Sequence, residues 1–358
     1  MLSHLIESPL PRAALAASCS LGGTLLLIPR LAAWARQKGL GDREGKSHSE
    51  TLNALHAHKQ RTPIVGGIAM LLAAIPATLL WAAPRPEVLL LVATLVGLGL
   101  LGLADDLRKT FGEVRTEGLT PRQKLAVQGL AGAGVGAALL GLAWAAGGDA
   151  ALVAQTRLAL PFVGGAVTLG VVAYLLFATL LITGSSNAVN LTDGLDGLAG
   201  GCALVAFGFY AAVAGLAGDA ALAGRLGLVH VPGAGEVGVA LAALSGALAG
   251  FLCFNRAPAQ VFMGDTGSLP LGGGLAVAAL LTKQELLLAL VGGVFVVEAL
   301  SVIAQVASFK LTGKRVLRCA PLHHHFQFQG WQEGLVVNRF HAAALILAAA
   351  ALHGLVVA

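Results

Sequence analysis

The sequence predicts an all-α, polytopic membrane protein of about ten transmembrane helices, and three observations carry that reading. Hydrophobic residues fill 56% of the 358 positions and charged residues only 11%, whereas an ordinary soluble domain is about one quarter charged. Apolar runs recur at the length of roughly 20 residues that a bilayer core about 30 Å thick demands of a helix. Runs such as Leu89 to Leu103 and Leu286 to Val306 do not alternate in polarity, which excludes a membrane β-barrel built of alternating segments about ten residues long. The 48 glycines let neighbouring helices approach closely.

The first apolar run, 13–34, is followed by no small-residue cleavage pattern and by nine further runs, so it reads as a helix rather than a signal peptide. The others cover 63–82, 88–104, 125–146, 160–182, 197–217, 237–254, 267–282, 286–309 and 340–357. No separate soluble domain is apparent, and 1–358 reads as a single integral membrane domain. With the N-terminus outside, the odd-numbered connections hold 18 of the 23 Lys and Arg residues. That asymmetry sets those connections in the cytoplasm and leaves both termini extracytoplasmic. It also accounts for the net charge of +5 without a nucleic acid partner. The four cysteines have no paired spacing and fall mostly in spans or on the cytoplasmic side, so neither disulfides nor a Cys-type zinc site is expected. No repeat suggests a doubled transporter architecture.

The acids gather at the cytoplasmic ends of these runs. The third run ends in Leu103-Ala104-Asp105-Asp106, two carboxylates at the negative end of a helix dipole, where local electrostatics disfavours them. A solvated helix end with Arg108 and Lys109 as neighbours is the plain alternative; a bound cation or a proton to be abstracted is the better account. The sixth run is opened by the segment Asn187 to Gly197, in which Asn190, Asp193 and Asp196 share one face if the helix has begun. A helix cap explains one such residue but not three. Before the eighth run, Phe262-Met263-Gly264-Asp265-Thr266-Gly267-Ser268 sets a glycine-flanked carboxylate beside free helix-start N–H groups, which suits magnesium and phosphate as well as a simple cap. Asn255 and Phe262 nearby read equally as a helix stop and packing, or as ligand contacts. Gln305, near the inner end of the ninth run, is a candidate buried hydrogen-bonding group. In the last cytoplasmic connection, His323-His324-His325 cannot all face one metal from a regular helix, which favours a phosphate or sugar over zinc as their partner. Lys59 and Lys124 read singly as topology signals, yet together they surround the acids, as a site for an anionic substrate and a metal requires.

Four segments then resemble a known family: LADDLRK at 103–109, NAVNLTDGLDGLAGG at 187–201, FNRAPAQVFMGDTGSLPLGG at 254–273 and APLHHHFQFQGW at 320–331. The acidic segments are similar to the polyprenyl-phosphate N-acetylhexosamine-1-phosphate transferase superfamily. The triple-histidine segment with Gly330-Trp331 resembles its phospho-N-acetylmuramoyl-pentapeptide transferase branch. The resemblance implies a ten-span enzyme of the bacterial inner membrane, commonly a homodimer, with its active-site cleft on the cytoplasmic side. It implies magnesium-dependent transfer of phospho-N-acetylmuramoyl-pentapeptide from its UDP carrier to undecaprenyl phosphate, giving lipid I and UMP in the first membrane step of peptidoglycan synthesis.

By the same resemblance, Asp105, Asp106 and Asp265 match the family's essential acids, with Asp265 the magnesium ligand. Asn190, Asp193, Asp196, Asn255 and Phe262 match its nucleoside pocket, with Phe262 on uracil. Lys59 and Lys124 match basic positions near the diphosphate or the sugar-peptide moiety, His324 and His325 match the histidines tied to muramoyl recognition, and Gln305 matches a further pocket position. Two departures bear on Lys59. The family reads Thr-Pro-Thr-Met-Gly-Gly where this chain has Thr62-Pro63-Ile64-Val65-Gly66-Gly67, and the connection 41–61 carries an added segment around Glu50 to Ala57. Transfer of N-acetylglucosamine-1-phosphate is the neighbouring alternative, opposed by the segment His323 to Trp331. An ion-coupled transporter is the alternative from another class, opposed by acids at one interface rather than at the midplane.

Overall fold

The computed structural model describes residues 8–39, 41, 62–111 and 118–357. In chain order its helices are α1 (Pro9–Gln37), α2 (Gly66–Trp81), α3 (Pro86–Phe111), α4 (Pro121–Gln155), α5 (Val171–Thr192), α6 (Leu198–Gly218) and α7 (Ala220–Leu226). They continue as α8 (Ala234–Asn255), α9 (Asp265–Leu281), α10 (Leu288–Val291), α11 (Gly293–Thr312), α12 (Leu322–Gln327) and α13 (Glu333–Val357). Eight are long and apolar enough to cross a membrane, and α2 and α9 are shorter apolar helices. Among the described residues the only strands, β1 (Arg157–Ala159) and β2 (Ala166–Thr168), form one antiparallel hairpin. The chain is therefore an all-α polytopic membrane protein, as the composition predicts.

Local chemistry sets the helix ends. Proline in the first turn starts α1, where its missing N–H costs nothing. At the start of α4, Thr120 and Gln123 make a capping box in which each side chain accepts the other's backbone N–H. The helix is interrupted at Gly147 and Gly148, the latter at φ +59°, a left-handed conformation that glycine adopts without a Cβ penalty.

Two of the expected spans are corrected. The fifth is Val171–Thr192 rather than 160–182, because the apolar stretch around Leu160 belongs to the hairpin region, turned by Gly164 and Gly165 at φ +72° and +86°. The ninth breaks at Gly292 into α10 and α11. The shift of the fifth span has a functional consequence. Asn190 lies in the last turn of α5, Asp193 caps its C-terminus and Asp196 lies in the turn before α6, so the three do not share one helix face.

Helix α9 is the centre of the bundle: every one of its residues is buried. It packs against α3 and α5, while α8 packs against α1, α6 and α2. Glycine permits the closest of these approaches. A Cβ on Gly102 would overlap the backbone of Asp265, and one on Gly67 would overlap the backbone of Gly267. Deep between the helices, Gln128 donates to Ser186 at 2.9 Å, Ser186 donates to the Leu269 carbonyl at 3.0 Å, and Asn187 donates to Gln128 at 2.8 Å. This satisfied polar network ties α4, α5 and α9 together just behind the acids.

The helix ends sort into two opposed faces. At one, Arg12 pairs with Glu236 and donates to the Trp81 carbonyl, while Lys283 donates to the Gln155 carbonyl. The other gathers the ends of α3 and α5, the starts of α4, α6 and α9, and α12.

Candidate active site

The second face brings together acids that lie far apart in sequence. Asp105 and Asp106 lie inside α3, which continues past them to Phe111 rather than ending at the pair as the apolar run suggests, and Asp265 is the first residue of α9; ligand atoms from all three lie within 4.8 Å of one another. Their environments differ. Asp106 serves the start of α9: its carboxylate accepts the backbone N–H groups of Asp265 at 3.1 Å and Thr266 at 2.9 Å, and the Thr266 hydroxyl at 2.7 Å. Its negative charge faces the positive end of the helix dipole, and Asp265 is thereby fixed beside Asp105. Gly264, at φ +72°, makes this possible, because any Cβ there would meet Ile64 and Asp106.

Asp105 is completely buried. It accepts the Leu119 N–H at 2.7 Å and ion-pairs with Lys109 at 2.6 Å and Lys124 at 2.8 Å. The same lysines reach Asp265, at 3.3 Å and 2.6 Å. Asp265 also accepts from Asn190 at 3.0 Å, and Asn190 donates to Ser268 at 2.8 Å. Two ammonium groups thus bridge two carboxylates at a place rich in hard oxygen donors. Three convergent aspartates fit magnesium by donor chemistry, and the lysines supply the balancing charge.

Next to this cluster lies the turn from Asp193 to Gly197. Burial, with Asp265, Asp106 and Asp196 adding their negative charge, pushes the Asp193 carboxyl up to about 7. Asp196 is buried; its N–H donates to Glu333 at 2.8 Å and its carboxylate accepts the Ala259 N–H at 2.9 Å. Asn255 spends both ends of its amide on backbone, accepting from Gly197 at 2.9 Å and donating to the Val261 carbonyl at 2.9 Å. Phe262 is half-buried and its backbone bridges to the strand-like stretch at Ile64, accepting from Gly66 and donating to Pro63.

The remaining expected residues lie on the same face. Gln305 folds the following loop onto α11 by accepting from Val316 and Leu317 and donating to the Leu317 carbonyl, all at 2.9–3.0 Å. His324 is buried with Nδ1 at 2.8 Å from Gln327, and His325 accepts the Arg318 N–H at 3.1 Å. Lys59 lies outside the described residues. The sequence reading names Lys109 only as a neighbour of the acids in the solvated alternative and not as a site residue, although its i+4 spacing from Asp105 is the signal for a helical ion pair. It also missed Glu298, an acid within an apolar run that is fully buried against His323.

The sequence pattern of glycosyl transferase family 4 matches residues 88–283, more than half of this helical membrane bundle, and places the chain among glycosyl transferases of that family. Proteins named phospho-N-acetylmuramoyl-pentapeptide-transferase from Geobacter sp. (strain M21) and Citrifermentans bemidjiense are each 47% identical over 298 residues, covering 83% of this chain and 80% of the relative. The protein of that name from Methylacidiphilum infernorum is 43% identical over 314 residues, covering 87% and 84%. The chain belongs to the phospho-N-acetylmuramoyl-pentapeptide transferase family.

Proposed function

We propose that this enzyme transfers phospho-N-acetylmuramoyl-pentapeptide from UDP-N-acetylmuramoyl-pentapeptide to undecaprenyl phosphate, forming lipid I and releasing UMP, with the aspartate face in the cytoplasm. The observation that carries the reading is the convergence of Asp105, Asp106 and Asp265 with Lys109 and Lys124. Phosphoryl transfer needs mainly positioning and charge neutralisation, and this cluster offers both signs of charge within a few ångströms. The bias of Lys and Arg toward this side supports the orientation.

Asp265, with Asp105 beside it, would hold the magnesium, which when bound neutralises charge on the donor diphosphate. The lysines exchange their carboxylate partners for the oxygens of that diphosphate. Asp193, Asp196, Asn190 and Asn255 shape the nucleoside pocket, with Phe262 against uracil; Gln305 is a further pocket position, and His324 and His325 face the muramoyl portion. Asp105 takes any residual proton from the lipid phosphate. An oxygen of that phosphate then attacks the sugar-linked phosphorus, and the bond to UMP breaks with its electron pair leaving on UMP. Since the second proton of a phosphate monoester titrates near pH 6, most acceptor is dianionic at neutral pH, and Asp105→Asn retains part of the activity. Asp106 acts by holding the start of α9.

The test is UMP release by purified protein given lipid phosphate and magnesium, with UDP-N-acetylmuramoyl-pentapeptide and UDP-N-acetylglucosamine compared side by side. Turnover of the muramoyl donor, abolished by Asp265→Ala, is expected. Turnover of the glucosamine donor alone, or flux of substrate without UMP, would overturn the reading.

A further inference from the structure

The geometry points to Glu298 and His323 as a positioning pair that sets the height of the Asp193–Asp196 turn, and so the affinity of the site for its nucleotide-linked donor. This inference rests on the transferase reading.

Both side chains are fully buried, Glu298 in α11 and His323 in α12. The carboxylate accepts the backbone N–H of His323 at 3.1 Å and meets its Nδ1 at 3.1 Å. A carboxylate on one ring nitrogen fixes the orientation of an imidazole and directs the other nitrogen. That other nitrogen, Nε2, is buried without a hydrogen-bond partner among the described residues. It lies against Gly194, where an added Cβ would overlap it. The ring is held from the side by the ring of His324, 4.1 Å away between centroids.

The turn is fastened on its other contacts by Glu333, the Ala259 N–H, Asn255 and His341, which bond Asp196 and Gly197. None of these hydrogen bonds is made to Gly194. The imidazole therefore supplies the support on the Asp193 side, and Glu298 carries that support back to α11. A pair that merely tied α12 to α11 would not require the absence of a side chain at position 194. An ionisable residue deep in an apolar helix is retained against a cost, and here its one ring partner meets the active-site turn.

The experiment uses the full-length protein and reads KM for the UDP-linked donor, KM for lipid phosphate, kcat and the thermal midpoint. Gly194→Ala, which adds only the Cβ, and Glu298→Ala, which frees the imidazole, raise the donor KM about tenfold, with kcat and the acceptor KM within about threefold of wild type. Glu298→Gln keeps a carbonyl oxygen for the backbone N–H of His323 and turns an NH2 donor toward Nδ1, which the other imidazole tautomer accepts, so it stays within about threefold of the wild-type donor KM. In Gly194→Ala/His323→Ala the smaller side chain admits the new Cβ, so the two losses do not add. Additive losses, or a lowered thermal midpoint with the donor KM unmoved, would sink the proposal. Absence of UMP release from the wild type would instead strike the transferase reading. In that event the Gly194 and His323 cycle measured by thermal midpoint alone still decides whether the two positions are coupled, and additivity there counts against the pair.

Discussion

Both oxygens of Asp106 accept from the first turn of α9, so its replacement acts on helix placement before it acts on chemistry. Loss of a helix cap costs about 1 kcal/mol, and up to about 2 when a partly buried charge meets the dipole. Asp106→Ala is expected to lower the thermal midpoint and cut UMP release at least about a hundredfold, because a shift near 1 Å in a catalytic group costs about that much. Asp106→Asn, which keeps an acceptor, recovers much of the midpoint and less of the rate. Lys109 acts in the opposite sense. It contributes positive charge to the two carboxylates that would bind the metal, so Lys109→Met should lower the half-saturating magnesium concentration about threefold while raising donor KM. A magnesium titration of UMP release reads both. Asp193 ties stability to pH. Its carboxyl is pushed from 3.8 to about 7 in the folded protein, so the fold holds a proton that the unfolded chain gives up. The associated stability is complete below pH 3.8 and is lost as pH rises through about 7. Thermal midpoints of wild type and Asp193→Asn should therefore diverge in favour of the variant across that window, and added magnesium, by offsetting the charge of Asp265, should narrow the gap. A constant difference at all pH values would contradict this.

At the scale of the element, the decisive contacts are those where glycine lets helix backbones touch. Gly102 on α3 lies against the backbone of Asp265 and Thr266, so Gly102→Ala must push the start of α9 away from Asp105. Overpacking of this kind costs about 1–3 kcal/mol, and both the thermal midpoint and UMP release should fall, whereas Gly97→Ala, with open space around it, should change neither. Hydropathy located nearly all of these elements because lipid demands long apolar runs whatever surrounds them. It misplaced α5 because the hairpin beside it is also apolar, and the signal that distinguishes them is local: Phe162, Gly164 and Gly165 cannot belong to a regular helix at their positive φ values. That error of about ten positions put Asn190, Asp193 and Asp196 on an imagined common face, when a helix end and a turn hold them instead. The pairs that build the site were beyond reach of spacing. Lys124 and Asp265 are 141 residues apart, Asp106 and Thr266 160. Only the i+4 pair of Asp105 and Lys109 was readable along one helix.

For the whole molecule, the two opposed faces and the skewed Lys and Arg content lead to one topological expectation. In a background lacking the four native cysteines, Arg157→Cys on the hairpin should react with a membrane-impermeant maleimide on intact cells, and Lys314→Cys only after permeabilisation; both side chains are exposed. The reverse pattern would invert the proposed orientation. Helix α9 has 17 residues, about 25 Å at 1.5 Å per residue, and so is shorter than a bilayer core of about 30 Å. It tolerates that length because protein encloses it on every side. The carboxylate of Asp265 is thus mounted on an axle shielded from acyl chains. Hydrophobic mismatch, which tilts lipid-facing helices, has no direct grip on it, and the placement of Asp265 is shielded from changes in lipid composition that growth temperature brings to a membrane.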